Sequence, residues 1–253
     1  MNNLVIICAI LLLVLLFLKV PVYIAVLSAS AVYFIGTPGM NLSIFAQKTI
    51  SGAEGLSLLA IPFFVCAGIF MNYTGVTKRI MNCCEVLTAR MPGGLAQVNI
   101  LLSTLMGGLS GSSLADAAMQ CKMLVPTMES KGYSKSFSTV ITAASGMVVP
   151  LIPPGVGLII YGCINNISIG KLFIAGIGPG IVLCVTLMIF THFLSKKRGY
   201  LPSRTTKIPV SEKIAAVRPA FLPLLLPIII IGGVRIGIFT ASEAGTVAIV
   251  YAV

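Results

Sequence analysis

Charge is what this sequence has least of. Only 9% of its 253 residues are Asp, Glu, Lys or Arg, and six residues carry all of the negative charge. A soluble domain dresses its surface with roughly 25% charged residues, so a soluble globule is excluded. A disordered chain is excluded too, because 57% of the residues are hydrophobic and the mean hydropathy is +1.06. The seven cysteines (Cys8, Cys66, Cys83, Cys84, Cys121, Cys163 and Cys184) include no Cys-x-x-Cys pair. Most lie in apolar runs, so they read as small membrane residues, not as a disulfide framework or zinc ligands. There is one histidine, His192, and no P-loop, dinucleotide fingerprint or metal-ligand spacing. What remains is an all-α polytopic membrane protein. At ~20 residues per span, the apolar content fills roughly seven helices.

The net charge of +11 is not spread as a nucleic-acid surface would spread it. Seven of the seventeen cations (Lys196, Lys197, Arg198, Arg204, Lys207, Lys213 and Arg218) fall between two apolar runs, as a cytoplasmic loop does under the positive-inside rule. Nucleic acid is therefore not an expected partner; membrane lipid is. Ser28-Ala29-Ser30-Ala31 could pass for a signal cleavage site, but no charge precedes the first apolar run, and Lys19 follows it. A retained first span is expected.

Apolar runs and their punctuation place spans at about 3–18, 22–36 and 57–73, with a kink at Pro62. Thr37-Pro38-Gly39 reads as a turn, 41–56 as an interfacial helix, and 77–90 as an amphipathic helix lying on the membrane. The stretch 94–128 is apolar but broken by Gly107-Gly108-Leu109-Ser110-Gly111-Ser112-Ser113. Its arms of ~15 residues cover about 22 Å each, less than the ~30 Å hydrocarbon core. Cations flank the same end of both arms, Arg90 before and Lys131 and Lys135 after. This is the pattern of a re-entrant hairpin. A broken helix follows at 136–168, interrupted at Pro150-Leu151-Ile152-Pro153-Pro154-Gly155, then spans at 173–194, 219–234 and from 241 onward. With the N-terminus periplasmic and 94–128 a hairpin, 14 of the 17 cations fall inside; only Lys48, Lys171 and Arg235 fall outside.

Non-helical backbone at membrane depth leaves polar groups that lipid cannot satisfy, and it persists where protein buries it or an ion uses it. The Gly-Ser tip offers hydroxyls and carbonyls; the proline break removes donors and frees carbonyls. Neutral oxygens of this kind suit a weakly held alkali cation such as Na⁺. The expected ion-binding residues are Ser110, Gly111 and Ser112 on one side and Ser145, Gly146, Val149 and Pro150 on the other. Ser113, Asp116, Pro153 and Pro154 are expected to support them. Asp116, the sole aspartate, serves either the ion site or the N-terminal dipole of the second arm. Glu243 fits a helix cap. No catalytic residue is expected. Gly108-Leu109-Ser110-Gly111 resembles the nucleophile motif of rhomboid-type intramembrane serine proteases, but the one candidate base, His192, sits near the cytoplasmic interface, roughly 15 Å or more away in depth. A channel-like pore with a re-entrant selectivity segment is the alternative to a transporter.

A longer string of motifs, in order, resembles one family. Leu58-Leu59-Ala60-Ile61-Pro62-Phe63-Phe64, the run Gly108–Ala118, Ile152-Pro153-Pro154, Lys171-Leu172-Phe173-Ile174-Ala175-Gly176 and Gly237-Ile238-Phe239-Thr240 are similar to the large membrane (permease) subunit of tripartite ATP-independent periplasmic (TRAP) transporters. The resemblance implies secondary active, Na⁺-coupled uptake of an organic acid across the bacterial inner membrane by an elevator mechanism. It also implies two partners, a small membrane subunit and an extracytoplasmic solute-binding protein, and no cofactor beyond Na⁺ as coupling ion. Three positions depart from the family pattern: Gly155 stands where serine is usual, Ala241 where proline is usual, and Ser242 where threonine is usual. On this reading residues 1–90 are scaffold helices, 91–198 half of a transport domain, and 199–253 a cytoplasmic linker and return to the scaffold. The family's second, inverted half is not in the sequence, so the chain is expected to be the N-terminal portion of a longer one.

The charge count predicts where residue 204 lies. In a cysteine-free background, Arg204→Cys should react with a membrane-impermeant thiol reagent only after the cytoplasmic side is opened; labelling from the periplasmic side of intact cells would show the topology to be inverted.

Overall fold

The computed structural model describes residues 2–204 and 208–252; the side chains of Asn2, Ala53, Leu56, Leu109 and Ser110 lie outside that description, as does Lys207. Among the described residues all regular structure is helical, as expected of an all-α membrane protein. The helices are α1 (Asn2–Phe17), α2 (Val22–Gly36), α3 (Leu42–Ala53), α4 (Ala60–Tyr73), α5 (Val76–Thr88), α6 (Gly94–Ser110), α7 (Ser113–Ser130), α8 (Lys135–Gly146), α9 (Val156–Asn165), α10 (Ile169–Lys197), α11 (Val210–Ile236) and α12 (Ala241–Ala252). Short 3-10 turns occupy Leu56–Leu59 and Val149–Leu151. α10 and α11 are each long and apolar enough to cross a membrane, and the run from Lys135 through α9 is so as a pair bent by 42°.

The chain forms two compact units, residues 1–55 and 56–253. In the first, α1 and α2 pack antiparallel so closely that a Cβ on Gly36 would come within 2.6 Å of a Leu4 methyl carbon. Lys19, at φ 60°, turns the chain out of α1. Thr37-Pro38-Gly39 forms the expected turn, with Gly39 at φ +84°. Asn41 then caps α3, its Oδ1 accepting from the Ile44 N–H at 3.1 Å, which satisfies one of the donors that a helix start leaves free.

The second unit is built around the α4–α12 pair, where Gly245 lets the helices close to the point that a Cβ would lie 2.7 Å from the Phe63 Cβ. Phe64, Met71, Ile80, Leu102, Leu124, Ile159, Phe173 and Leu226 belong to one buried cluster that ties α4 to α7 and α9 to α11. Glu243 closes a capping box at the start of α12: its carboxylate accepts from the Thr240 N–H at 2.7 Å and from the Thr240 hydroxyl at 2.8 Å. A second cluster (Leu95, Ile100, Met128, Tyr133, Phe137 and Ile141) fills the base between α6, α7 and α8. The segment after α10 straps this base. Tyr200 stacks on Tyr133 with centroids 4.4 Å apart, Gly93 N–H donates to the Tyr200 carbonyl at 3.2 Å, and Arg204 N–H donates to the Ala89 carbonyl at 2.9 Å.

Three local expectations are corrected. Pro62 makes no kink, because α4 begins at Ala60 and the proline falls in the first turn, where its missing N–H has no partner to lose. The basic stretch is not one loop: α11 starts at Val210, so Lys213 and Arg218 stand on a helix that continues through Pro219, Pro223 and Pro227. The hairpin arms are longer than composition suggests, at 17 and 18 residues, or about 26 Å each.

Candidate functional site

The tip of the α6–α7 hairpin is tighter than a seven-residue Gly-Ser tract leads one to expect. α6 runs through Gly107 and Gly108 to Ser110, and only Gly111 and Ser112 are unwound. Gly111 takes φ +61°, where a side chain is strained, and its N–H closes onto the Gly107 carbonyl at 3.1 Å. Ser112 is extended and caps α7, its hydroxyl oxygen accepting from the Ala115 N–H at 3.4 Å.

The second interruption is wider. α8 stops at Gly146, a 3-10 turn covers Val149–Leu151, bends carry the chain from Ile152 through the cis Pro153–Pro154 pair, and an extended Gly155 leads into α9 at Val156. Prolines at 150, 153 and 154 carry no N–H, so this stretch is rich in carbonyl acceptors and poor in donors.

The two interruptions meet. A Cβ on Gly107 would lie 3.0 Å from the Val149 Cα and 3.1 Å from its carbonyl oxygen. One on Gly108 would lie 2.8 Å from the Pro153 carbonyl oxygen, and one on Gly111 would lie 2.9 Å from the Pro154 carbonyl oxygen and 3.1 Å from the Val156 nitrogen. The first two glycines, both helical, therefore serve approach and not turning. They admit the backbone of the break to within contact of the end of α6, where the Val149 and Pro153 carbonyls face them and the Pro154 carbonyl faces Gly111. Across the same region Gly146 faces α7, with Ser113 O and Ala117 Cβ each 3.4 Å from a virtual Cβ. The carboxyl ends of α6 and α8 and the amino ends of α7 and α9 thus converge on one place.

Each expected site residue can now be placed. Gly111, Val149, Pro153 and Pro154 lie in the contact, and Gly146 and Ser113 oppose each other beside it. Ser110 ends α6; its side chain is outside the described residues. Ser112 is the α7 cap. Asp116 sits in the first turn of α7 and is 2% exposed, in reach of the helix's positive end. The Pro150 carbonyl points elsewhere, 2.4 Å from a Cβ position on Gly155. Ser145 lies one turn below the contact, and its hydroxyl is engaged by Ser103 (2.9 Å), Asn99 Oδ1 (2.9 Å) and the Thr142 carbonyl (2.9 Å).

Those partners were not anticipated. Asn99, Ser103, Gln120, Thr142 and Ser145 form a fully buried polar layer between α6, α7 and α8. The signal was present in the sequence: two amide side chains sit inside apolar runs, and Asn99/Ser103 and Ser138/Thr142/Ser145 recur at helical spacing. The protease reading finds no geometric support. Gly93, at the base of α6, lies against Ser195, three residues from His192; Ser110 is 17 residues, or about 25 Å, farther along α6.

Comparison with known proteins bears on the whole chain. Residues 9–253 match the family described as Tripartite ATP-independent periplasmic transporter, DctM component. The sialic acid TRAP transporter large permease protein SiaM of Vibrio cholerae is 41% identical over 94% of this chain and 55% of its own length. The 2,3-diketo-L-gulonate TRAP transporter large permease protein YiaN of Escherichia coli is 41% identical over 92% and 54%, and the ectoine TRAP transporter large permease protein TeaC of Halomonas elongata is 37% identical over 94% and 56%. The chain spans about half the length of these relatives. All three are named as transport permeases and none as an enzyme.

The close approach of tip and break has a direct test. Gly108→Ala should lower stability by about 1–3 kcal/mol, the scale of overpacking against backbone that cannot move aside. Gly157→Ala, a position with nothing within 4 Å of its virtual Cβ, should be neutral or slightly stabilising. Thermal unfolding followed by a thiol-reactive dye on the buried Cys83, Cys84 and Cys184 reads both.

Proposed function

The chain belongs to the DctM component family of tripartite ATP-independent periplasmic transporters, and from that premise we propose that it forms the Na⁺-binding half of a carboxylate-uptake permease in the bacterial inner membrane. The observation that carries this reading is the convergence of four helix ends at the glycine–carbonyl contact. Helix carboxyl ends and unpaired carbonyls attract a cation, and helix amino ends attract an anion. One place that offers both suits the joint binding of a coupling ion and a negatively charged solute. Neutral oxygen ligands hold a monovalent cation loosely enough to release it in every cycle. The relatives' named substrates fit the class: sialic acid, diketogulonate and ectoine each carry a carboxylate.

In the proposed mechanism the hairpin and the broken helix move as one body against scaffold helices, exposing the site first to the periplasm and then to the cytoplasm. The N-terminus lies in the periplasm. A solute-binding protein delivers the substrate, a small membrane subunit completes the scaffold, and the rest of the full-length permease supplies the opposing half of the site. The hairpin tip is glycine and serine, without charge; a fixed negative ligand there would hold Na⁺ too long and repel the carboxylate.

Reconstituted full-length transporter with its binding protein should take up substrate saturably, and only with an inward Na⁺ gradient. Ser112→Ala should reduce Na⁺ affinity by about tenfold or less, since it removes one hydroxyl near the site and leaves the carbonyls. Uptake that proceeds equally in Na⁺-free buffer would reject Na⁺ coupling, and conductance without the binding protein would favour the channel reading.

A further inference from the structure

The buried polar layer beneath the contact has an order that its members' types alone do not reveal. Ser103 stands four residues before Gly107 on α6, Ser145 four residues before Val149 at the end of α8, and Gln120 seven residues after Ser113 on α7. The layer thus lies one to two helical turns, about 6–10 Å, from the residues of the contact. None of the three side chains is more than 1% exposed, nor are Asn99 and Thr142.

The hydrogen bonds form one connected network. Gln120 Nε2 donates to Ser103 Oγ at 2.9 Å, Ser103 Oγ to Ser145 Oγ at 2.9 Å, and Ser145 Oγ to Asn99 Oδ1 at 2.9 Å. The Asn99 amide continues the chain, Nδ2 donating to Thr142 Oγ1 at 2.6 Å, and the Thr142 hydroxyl donates to the Ser138 carbonyl at 2.9 Å. Ser103 Oγ also lies 3.1 Å from Gln120 Oε1, and Ser145 Oγ 2.9 Å from the Thr142 carbonyl, so each of these hydroxyls has two acceptors for its single proton. Hydrogen bonds in a low-dielectric interior reinforce one another, so the loss of one member weakens the rest. The chain starts on the second hairpin arm, passes through the first and ends on the helix that leads into the break. It therefore fixes the rotation and height of the three helix ends that meet above it.

We propose that Gln120, Ser103 and Asn99 are positioning residues for the coupling cation: they do not touch it, but they set the spacing between the hairpin tip and the Val149–Pro154 carbonyls, and hence the affinity and size preference of the cation site. The proposal rests on the Na⁺ reading above. Its physical basis is that a cage of backbone carbonyls has no charge with which to select an ion, so selection depends on how rigidly the oxygens are spaced. Because α6, α7 and α8 each bring an end to the contact, a slip in any one of them changes that spacing.

The test uses the full-length transporter, reconstituted with its binding protein. Gln120→Met keeps the volume and removes the first donor; Ser103→Ala deletes one oxygen from the middle and adds no bulk; Ser103→Thr keeps the hydroxyl. Both disrupting variants should raise the Na⁺ concentration for half-maximal uptake about fivefold, the factor carried by one buried hydrogen bond, and should shrink the preference for Na⁺ over Li⁺. Substrate KM at saturating Na⁺ should stay within about twofold of wild type, and Ser103→Thr should restore both the Na⁺ response and the ion preference. A merely structural layer would change protein yield and unfolding temperature and leave ion preference alone. Unchanged Na⁺ half-activation and Na⁺/Li⁺ preference in folded Ser103→Ala would overturn the proposal, as would Ser103→Thr behaving like Ser103→Ala. If Gln120→Met does not fold, Ser103→Ala with its threonine counterpart decides the matter. A wild-type protein with no Na⁺ dependence would instead remove the reading on which the proposal stands.

Discussion

The donor-poor proline stretch between α8 and α9 constrains the packing of the second unit. Pro150, Pro153 and Pro154 take three donors out of a stretch that lies between α8 and α9, and lipid offers none in return. The structure meets this by pressing the stretch against the end of α6, where Gly107, Gly108 and Gly111 admit it to 2.8–3.1 Å of their virtual Cβ positions. Any side chain larger than hydrogen at these positions would drive the two apart. The hairpin exists in its present form because the break needs a protein surface that can come this close.

The surrounding packing follows from that contact. Two buried clusters flank it, one joining α4, α6, α7, α11 and α12, the other filling the base where Tyr133, Phe137 and Tyr200 stack. Between base and tip runs the polar layer. Such a layer is tolerated in an apolar bundle when its hydrogen bonds are satisfied within it, and a partly satisfied one would be worse than an apolar core. Apolar side chains remain uncovered near the tip, with Leu114 84% and Met147 65% exposed.

Much of this was legible in the sequence, for reasons that differ by element. Helices α1, α2 and α3 follow from apolar runs ended by Lys19 and by Thr37-Pro38-Gly39, which are strong local signals. The hairpin and the broken helix were legible because Gly-Ser and Pro-Pro-Gly interrupt otherwise continuous apolar stretches. The role of Gly107 and Gly108 was not, since the same residue type permits both a turn and a close approach, and only the neighbour across the interface distinguishes them. Pro62 misled for the converse reason: a proline in a first turn and a proline at a kink differ only by where the helix begins. The Asn99–Gln120 layer went unseen because its members are 17 to 46 residues apart along the chain, and pattern within one helix cannot show a pairing between three. Ser145 illustrates the gap. Its position beside the break was legible, but the engagement of its hydroxyl with Asn99 and Ser103 depends on tertiary packing.

The central claim is that the contact between the hairpin tip and the proline break is where the coupling ion sits. A high-resolution electron cryomicroscopy map of the full-length transporter, compared at saturating Na⁺ and in choline, tests it most directly. The account predicts a compact density in Na⁺, absent in choline, ringed by carbonyl oxygens of Val149, Pro153 or Pro154 and by oxygens of the Ser110–Ser112 tip. Ion density located elsewhere in the molecule, with this contact identical and empty under both conditions, would contradict it.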